Sequence, residues 1–163
     1  MRISTRYGSH MPVLLQALKK TDGKILELGG GVFSTPLIHW ICRIESREAV
    51  TYENYPEWYE FIKVYQSKYH QVELIKEWTN QGSMDLWDVV LIDLTPDEKR
   101  KEMAKQFVQN AKYVILHDSN GRYNKIYHYE TIYPLYRHMW TFDEVEPSTT
   151  VLSNFYGVKD FIK

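Results

Sequence analysis

Residues 87–93, Trp-Asp-Val-Val-Leu-Ile-Asp, have an uninterrupted apolar centre closed by an acid. Parallel strands covered on both faces read this way, whereas a half-solvated strand alternates apolar with polar residues. A parallel strand needs a crossover connection, and strand and helix signals do alternate along the rest of the chain. The expected strands are 24–28, 49–53, 72–75, 87–93 and 113–117. Expected helices are 12–20, one capped by Ser34 or Thr35 with Pro36 in its first turn, and one opened by Asn54 and Pro56 and carrying Trp58, Phe61, Ile62, Tyr65 and Tyr69. Thr95-Pro96-Asp97-Glu98 reads as a capping box before a helix with Met103, Ala104, Phe107, Val108 and Ala111 inward. An aromatic helix is expected over 125–138, broken near Pro134, then two strands, 139–145 and 150–156, around Glu146-Pro147-Ser148. Five βα units and a hairpin predict a three-layer α/β/α sandwich on a mainly parallel, seven-stranded sheet. The chain reads as one domain: a cap segment 1–22, a core 23–122, and a C-terminal helix and hairpin 123–163.

Ligands of such sheets sit beyond the carboxyl ends of the strands, so those ends are where chemistry is sought. The first carries Lys-Ile-Leu-Glu-Leu-Gly-Gly-Gly-Val-Phe-Ser-Thr-Pro, residues 24–36. Glycine permits the sharp bend and the close approach of backbone to ligand. Gly29, Gly30 and Gly31 therefore form a candidate cradle, with Ser34 and Thr35 opening the next helix. Gly29 and Gly31 match the dinucleotide fingerprint, but Ser34 takes its third glycine position. Glu53, with Asn54 after it, ends the second strand 22 residues after Gly31, where a carboxylate can accept both ribose hydroxyls. Glu27, inside the first strand, would repel a pyrophosphate yet could orient an ammonium group. That acid shifts the expectation from a dinucleotide to S-adenosyl-L-methionine.

These segments, with 87–104 and Ala-Lys-Tyr-Val-Ile-Leu-His-Asp-Ser at 111–119, resemble the class I S-adenosylmethionine-dependent methyltransferases, a Rossmann-like family. The resemblance covers about residues 10–120 and is nearest to small-molecule O-methyltransferases. It implies that the glycine turn holds the methionine part, that Glu53 takes the ribose, and that Trp78 and Thr79 flank the adenine. It also places His10 in a segment that covers the cofactor.

Asp93 and Asp118 end neighbouring strands 25 residues apart. Two converging carboxylates suit a hard divalent cation such as Mg²⁺, which would polarise an acceptor hydroxyl. In the metal-dependent O-methyltransferases that this layout resembles, acids at these strand ends bind the ion, with a further Asp or Asn beside the second. Here His117 and Ser119 flank Asp118. Without a metal, Asp93 or His117 is the expected general base. Asp93 is also an expected cofactor contact. The tyrosine-rich stretch 123–140 is expected mainly as core packed on the sheet, with an acceptor pocket as the alternative, and Lys99, Arg100 and Lys101 as a solvated helix face.

The formal net charge of −1 gives no general attraction to nucleic acid. Cys42 is the one cysteine, so an internal disulfide and a cysteine metal cluster are excluded. No apolar run approaches the roughly 20 residues that span a bilayer, and the first residues lack a signal-peptide core. A cytoplasmic chain without a membrane partner is expected. Gly8-Ser9-His10-Met11 also occurs as a remnant of cleaved tags, but here it follows seven residues without tag character and runs into a helix, so it is read as native. The expected function is methyl transfer from S-adenosylmethionine to a hydroxyl of a small molecule or sugar. The alternatives are a non-catalytic nucleotide-binding module and an NAD-dependent oxidoreductase. The chain is short, and a second subunit could complete the acceptor site.

Overall fold

The computed structural model describes residues 4–162. Seven strands form one sheet in the order β3-β2-β1-β4-β5-β7-β6. They are β1 (Ile25–Leu28), β2 (Ala49–Glu53), β3 (His70–Leu74), β4 (Trp87–Ile92), β5 (Ala111–Leu116), β6 (His138–Phe142) and β7 (Thr149–Ser153). The first five run parallel; β7 returns antiparallel between β5 and β6. This is the Rossmann-like three-layer sandwich expected, with the order reversing between β1 and β4. A crevice at such a reversal is the usual ligand site.

The unbroken apolar centre of β4 serves both layers, since successive side chains of a strand point to opposite faces. Val90 and Ile92 join Leu26, Leu28, Val114 and Leu116 on one face, against Met103 and Ala104 of α4 (Glu98–Gln106) and Phe107 just after it. Val89 and Leu91 join Ile25 and Ile115 on the other. That layer meets Val13, Leu14, Ala17 and Leu18 of α1 (Met11–Lys19), and Ile38 and Cys42 of α2 (Ser34–Glu45).

Where β1 ends, Gly29 adopts φ +91, and a Cβ there would lie 2.5 Å from the carbonyl oxygen of Asp93. Only glycine tolerates that combination, and it lets the ends of β1 and β4 meet. Gly29 N–H donates to the carbonyl of Tyr52, and Asp93 N–H to that of Leu28. The turns after β1, β2 and β4 are thereby tied together.

Several expected elements differ. Helix α3 (Pro56–Ile62) passes into a 3-10 turn at Lys63–Tyr65, and Tyr69 lies beyond it. The capping box does not form: α4 starts after Asp97, with no side-chain cap. Ala111 opens β5 rather than closing that helix, and neither Ser34 nor Thr35 caps α2, which follows Phe33. The aromatic helix is only α5 (Gly121–Tyr127); His128 turns left-handed (φ 54), and two 3-10 turns lead into β6. Thr131, Ile132 and Pro134 follow at once. Proline lacks a main-chain donor and β-branched side chains crowd a helix, so this stretch packs as turns. Tyr129, Ile132 and Tyr136 enter the core.

Candidate active site

A cavity of about 610 Å³ opens at the carboxyl ends of β1, β2, β4 and β5. Of the expected residues, Gly30, Gly31, Ser34, Glu53, His10, Asp93, His117 and Asp118 line it. Glu27, Gly29, Thr35, Asn54 and Trp78 do not form its wall.

Glu53 ends β2 with both carboxylate oxygens engaged by main chain. Gly30 N–H donates to Oε2 at 2.9 Å, and the N–H groups of Asn54 and Tyr55 donate to Oε1 at 2.8 and 2.6 Å. The carboxylate is thus fixed against the glycine turn, with lone pairs left for further donors. Burial pushes its pKa up, against those N–H groups, and the charge of Asp93 adds to the rise.

Glu27 is fully buried beneath the turn. Its Oε2 accepts hydrogen bonds from Thr35 Oγ1 (2.7 Å) and Thr51 Oγ1 (2.6 Å), and Thr35 Oγ1 in turn accepts from Gly31 N–H at 2.9 Å. Glu27 therefore shapes the cradle through Thr35. Burial raises its pKa to about 7, despite the hydroxyls of Ser34, Thr51 and Thr35. A carboxyl raised on folding binds a proton more tightly in the folded state, so stability falls as pH rises from about 4.5 to about 7. The full shift corresponds to about 3 kcal/mol. Chemical denaturation across pH 5–8 is expected to show this decline in the wild-type protein and a flatter profile in Glu27→Gln; parallel profiles would contradict the assignment.

Trp78 is buried in the core, donating Nε1–H to the Thr95 carbonyl at 2.7 Å. It braces the loop after β4 rather than the cavity. Trp78 is a core aromatic and, despite the adenine contact implied for it, is not on the cavity wall.

The residue that the sequence reading missed is Arg100. It was expected on a solvated face, yet it is 4% exposed. Its Nη2 lies 2.9 Å from Asp93 Oδ1 and its Nη1 3.0 Å from Asp118 Oδ2. Nε donates to the Leu94 carbonyl at 2.7 Å, and the guanidinium stacks 4.6 Å above the ring of Tyr127. The only local signal was seven-residue spacing from Asp93, indistinguishable from a surface charge run. Lys99, by contrast, is half-buried and pairs with Glu102.

Arg100 counts against the Asp93–Asp118 metal pair. A guanidinium already spans the two carboxylates and offsets part of the negative charge that would attract a hard divalent ion. Burial raises the pKa of Asp93, but the charges of His117 and Arg100 more than offset this and hold it well below the usual carboxylate range.

His117 follows β5, with Nε2 2.8 Å from Ser9 Oγ. Its Nδ1 lies 3.0 Å from Asp93 Oδ1 without the alignment of a hydrogen bond. Burial lowers its pKa, and the Asp93 charge reverses the sign, leaving it raised. With one nitrogen on Ser9 and the other facing Asp93, neither is free to act on an acceptor while those contacts stand. His10 is 1% exposed, its ring edge-on to that of His117 at 4.7 Å between centroids. Burial and the neighbouring His117 depress its pKa to about 3. The segment around it does fold over the strand ends: Gly8 packs on the Phe33 ring so closely that a Cβ would sit at 3.1 Å.

The remaining wall is Arg6, Tyr7, Tyr55 and Trp58 on one side and Asn120, Tyr123, Tyr127 and Glu146 on the other. Two tyrosines of the aromatic stretch, Tyr123 and Tyr127, thus line the cavity, while Tyr129 and Tyr136 lie in the core.

No protein-family model matches the sequence, and no curated protein does. Solved structures do match. A spermidine synthase from Thermotoga maritima is 16% identical with a TM-score of 0.65, covering 97% of this chain and 63% of its own. An O-methyltransferase from Bacillus cereus in complex with SAH is 14% identical with a TM-score of 0.65, covering 93% of this chain and 82% of its own. The METTL16 MTase domain is 10% identical with a TM-score of 0.67, covering 95% and 71%. The chain thus spans less than two thirds of the spermidine synthase. At these identities the likeness shows the fold alone, a Rossmann-like α/β sandwich that this chain shares with those proteins.

Proposed function

We propose that the protein is an S-adenosylmethionine-dependent methyltransferase acting on a hydroxyl of a small molecule. The observation that carries this reading is Glu53, clamped by Gly30, Asn54 and Tyr55 N–H and facing the same cavity as the glycine turn. An acid so fixed suits the vicinal hydroxyls of a ribose, and the turn suits the methionine end. The cavity reaches Gly30 and Gly31, so the turn is accessible to a ligand. Among the described residues no helix is long and apolar enough to cross a membrane.

Bound S-adenosylmethionine would supply an electrophilic methyl group on a sulfonium, open to in-line attack. Gly30, Gly31, Ser34 and Glu53 would hold it on one wall. In the same cavity Asp93 and Asp118 are neutralised in part by Arg100, each keeping one oxygen outside that bridge. Those oxygens would orient an acceptor hydroxyl by accepting its hydrogen bond. Asn120 Oδ1, buried with no partner, adds a third acceptor beside Tyr123 and Glu146. A wall of acceptors and aromatic faces favours a hydroxylated acceptor over an anionic one. The alignment of nucleophile and methyl group is the chain's main contribution to rate.

Calorimetric titration with S-adenosylmethionine, S-adenosylhomocysteine and NAD tests the class. Micromolar binding of the first two and none of NAD is expected; NAD binding alone would end the methyltransferase reading.

A further inference from the structure

Beside Arg100 the cavity floor holds an unexplained group of donors. His10 Nδ1 and His10 Nε2 are buried with no hydrogen-bond partner, and His117 Nδ1 faces Asp93 Oδ1 at 3.0 Å without the alignment of a hydrogen bond. Unpaired buried polar atoms are rare in folded proteins and call for a reason. Two such atoms on one imidazole, edge-on to a second imidazole and next to a carboxylate, share one. Each of His10, Asp93 and His117 offers a ligand atom, and the three atoms lie within 4.8 Å of one another.

We propose that His10, Asp93 and His117 form a two-histidine, one-carboxylate site for a divalent first-row transition ion, distinct in ligands and in metal preference from an Asp93–Asp118 Mg²⁺ site. Imidazole nitrogens favour Zn²⁺, Co²⁺ or Fe²⁺, whereas Mg²⁺ prefers oxygen. The second shell is in place. Ser9 Oγ sits on His117 Nε2 at 2.8 Å, so a proton on that nitrogen leaves Nδ1 as the ligand atom. Metal-binding histidines usually fix their other N–H in this manner. Arg100 holds Asp93 through Oδ1, leaving Oδ2 to bind.

The charges also favour a cation. Asp93 and Asp118 carry two negative charges and Arg100 one positive, so the group keeps one negative charge in excess. Bonds of about 2.1 Å bring donors closer together than 4.8 Å, and rotation of the His10 side chain, ahead of α1, can supply the closure. All three residues line the cavity, so open positions on the ion would face an acceptor. An oxygen bound there would ionise at lower pH than in water. The competing occupant is a proton on His117 Nδ1, paired with Asp93.

The inference stands on these donors and not on the S-adenosylmethionine reading. The test is titration of chelator-treated protein with Co²⁺ and Zn²⁺, with Mg²⁺ as comparison, followed by calorimetry and the visible bands of Co²⁺. One ion per chain is expected, with at least about tenfold weaker binding in His10→Ala and His117→Ala and no competition from equimolar Mg²⁺. Should either variant melt early, X-ray absorption at the zinc edge of the wild-type complex counts imidazoles directly, and two are expected. No binding, binding that survives His10→Ala unchanged, or fewer than two imidazoles would overturn the site. Methyl-donor binding is measured separately in metal-free protein, so loss of one conclusion leaves the other standing.

Discussion

Replacing Arg100 by Met is expected to cost about 3–5 kcal/mol of folding stability, the usual penalty for breaking a buried ion pair from one side. The guanidinium reaches two carboxylates and the carbonyls of Leu94 and His117 from one position. Without it, Asp93 is left beside Asp118 with only His117 to offset its charge. The sign of the pH dependence follows. The carboxyl of Asp93 is held below its usual range in the wild-type protein, so its contribution is complete above the unfolded pKa and is lost only in strong acid. In Arg100→Met that depression shrinks, and the deficit relative to wild type is expected to narrow as pH falls below about 4. Arg100→Lys keeps the charge but cannot span four acceptors, and an intermediate loss is expected. Urea or thermal unfolding reads all three. A Met variant within about 0.5 kcal/mol of wild type would mean that the pair behaves as a surface contact.

Arg100 also marks the limit of what the sequence conveys. Strands β1, β2, β4 and β5 were legible because each is bounded by turn residues and buried on a face that its own pattern declares. That the glycine turn and Glu53 meet at one cavity was legible because both end strands of a parallel sheet, where such crevices lie. Arg100 was not, since Lys-Arg-Lys on a helix looks the same whether the middle side chain meets water or curls back to the end of β4. Trp78 fails similarly: a tryptophan after a strand can stack on a ligand or fill the core, and here its N–H finds the Thr95 carbonyl. The aromatic stretch kept helical spacing, yet its helix closes at Tyr127 once His128 turns left-handed. His10 and Asp93 were each singled out, but that their donor atoms meet beside His117 depends on how the N-terminal segment folds across the sheet.

The sharpest test of the proposed cofactor site is Glu53. Its oxygens serve two sets of donors: the N–H groups of Gly30, Asn54 and Tyr55 within the chain, and, on the proposed reading, ribose hydroxyls in the cavity. Glu53→Gln is nearly isosteric but not conservative. One of its two positions must hold NH₂, and either choice sets a donor against main-chain donors. Hydrogen bonds to a charged group are worth about 1.5–3 kcal/mol, so S-adenosylmethionine binding is expected to weaken by about 100-fold. Glu53→Ala should lose as much, without the opposed donors. Because the same carboxylate ties Gly30 to the start of α3, part of any loss could reflect a loosened turn. The two causes separate by competition. A loosened turn weakens S-adenosylmethionine and its 2′-deoxy analogue equally in every protein, whereas a ribose contact makes wild type prefer S-adenosylmethionine and abolishes that preference in both variants. Equal affinity of the wild-type protein for the two would remove Glu53 from the ribose and leave it a clamp on the glycine turn.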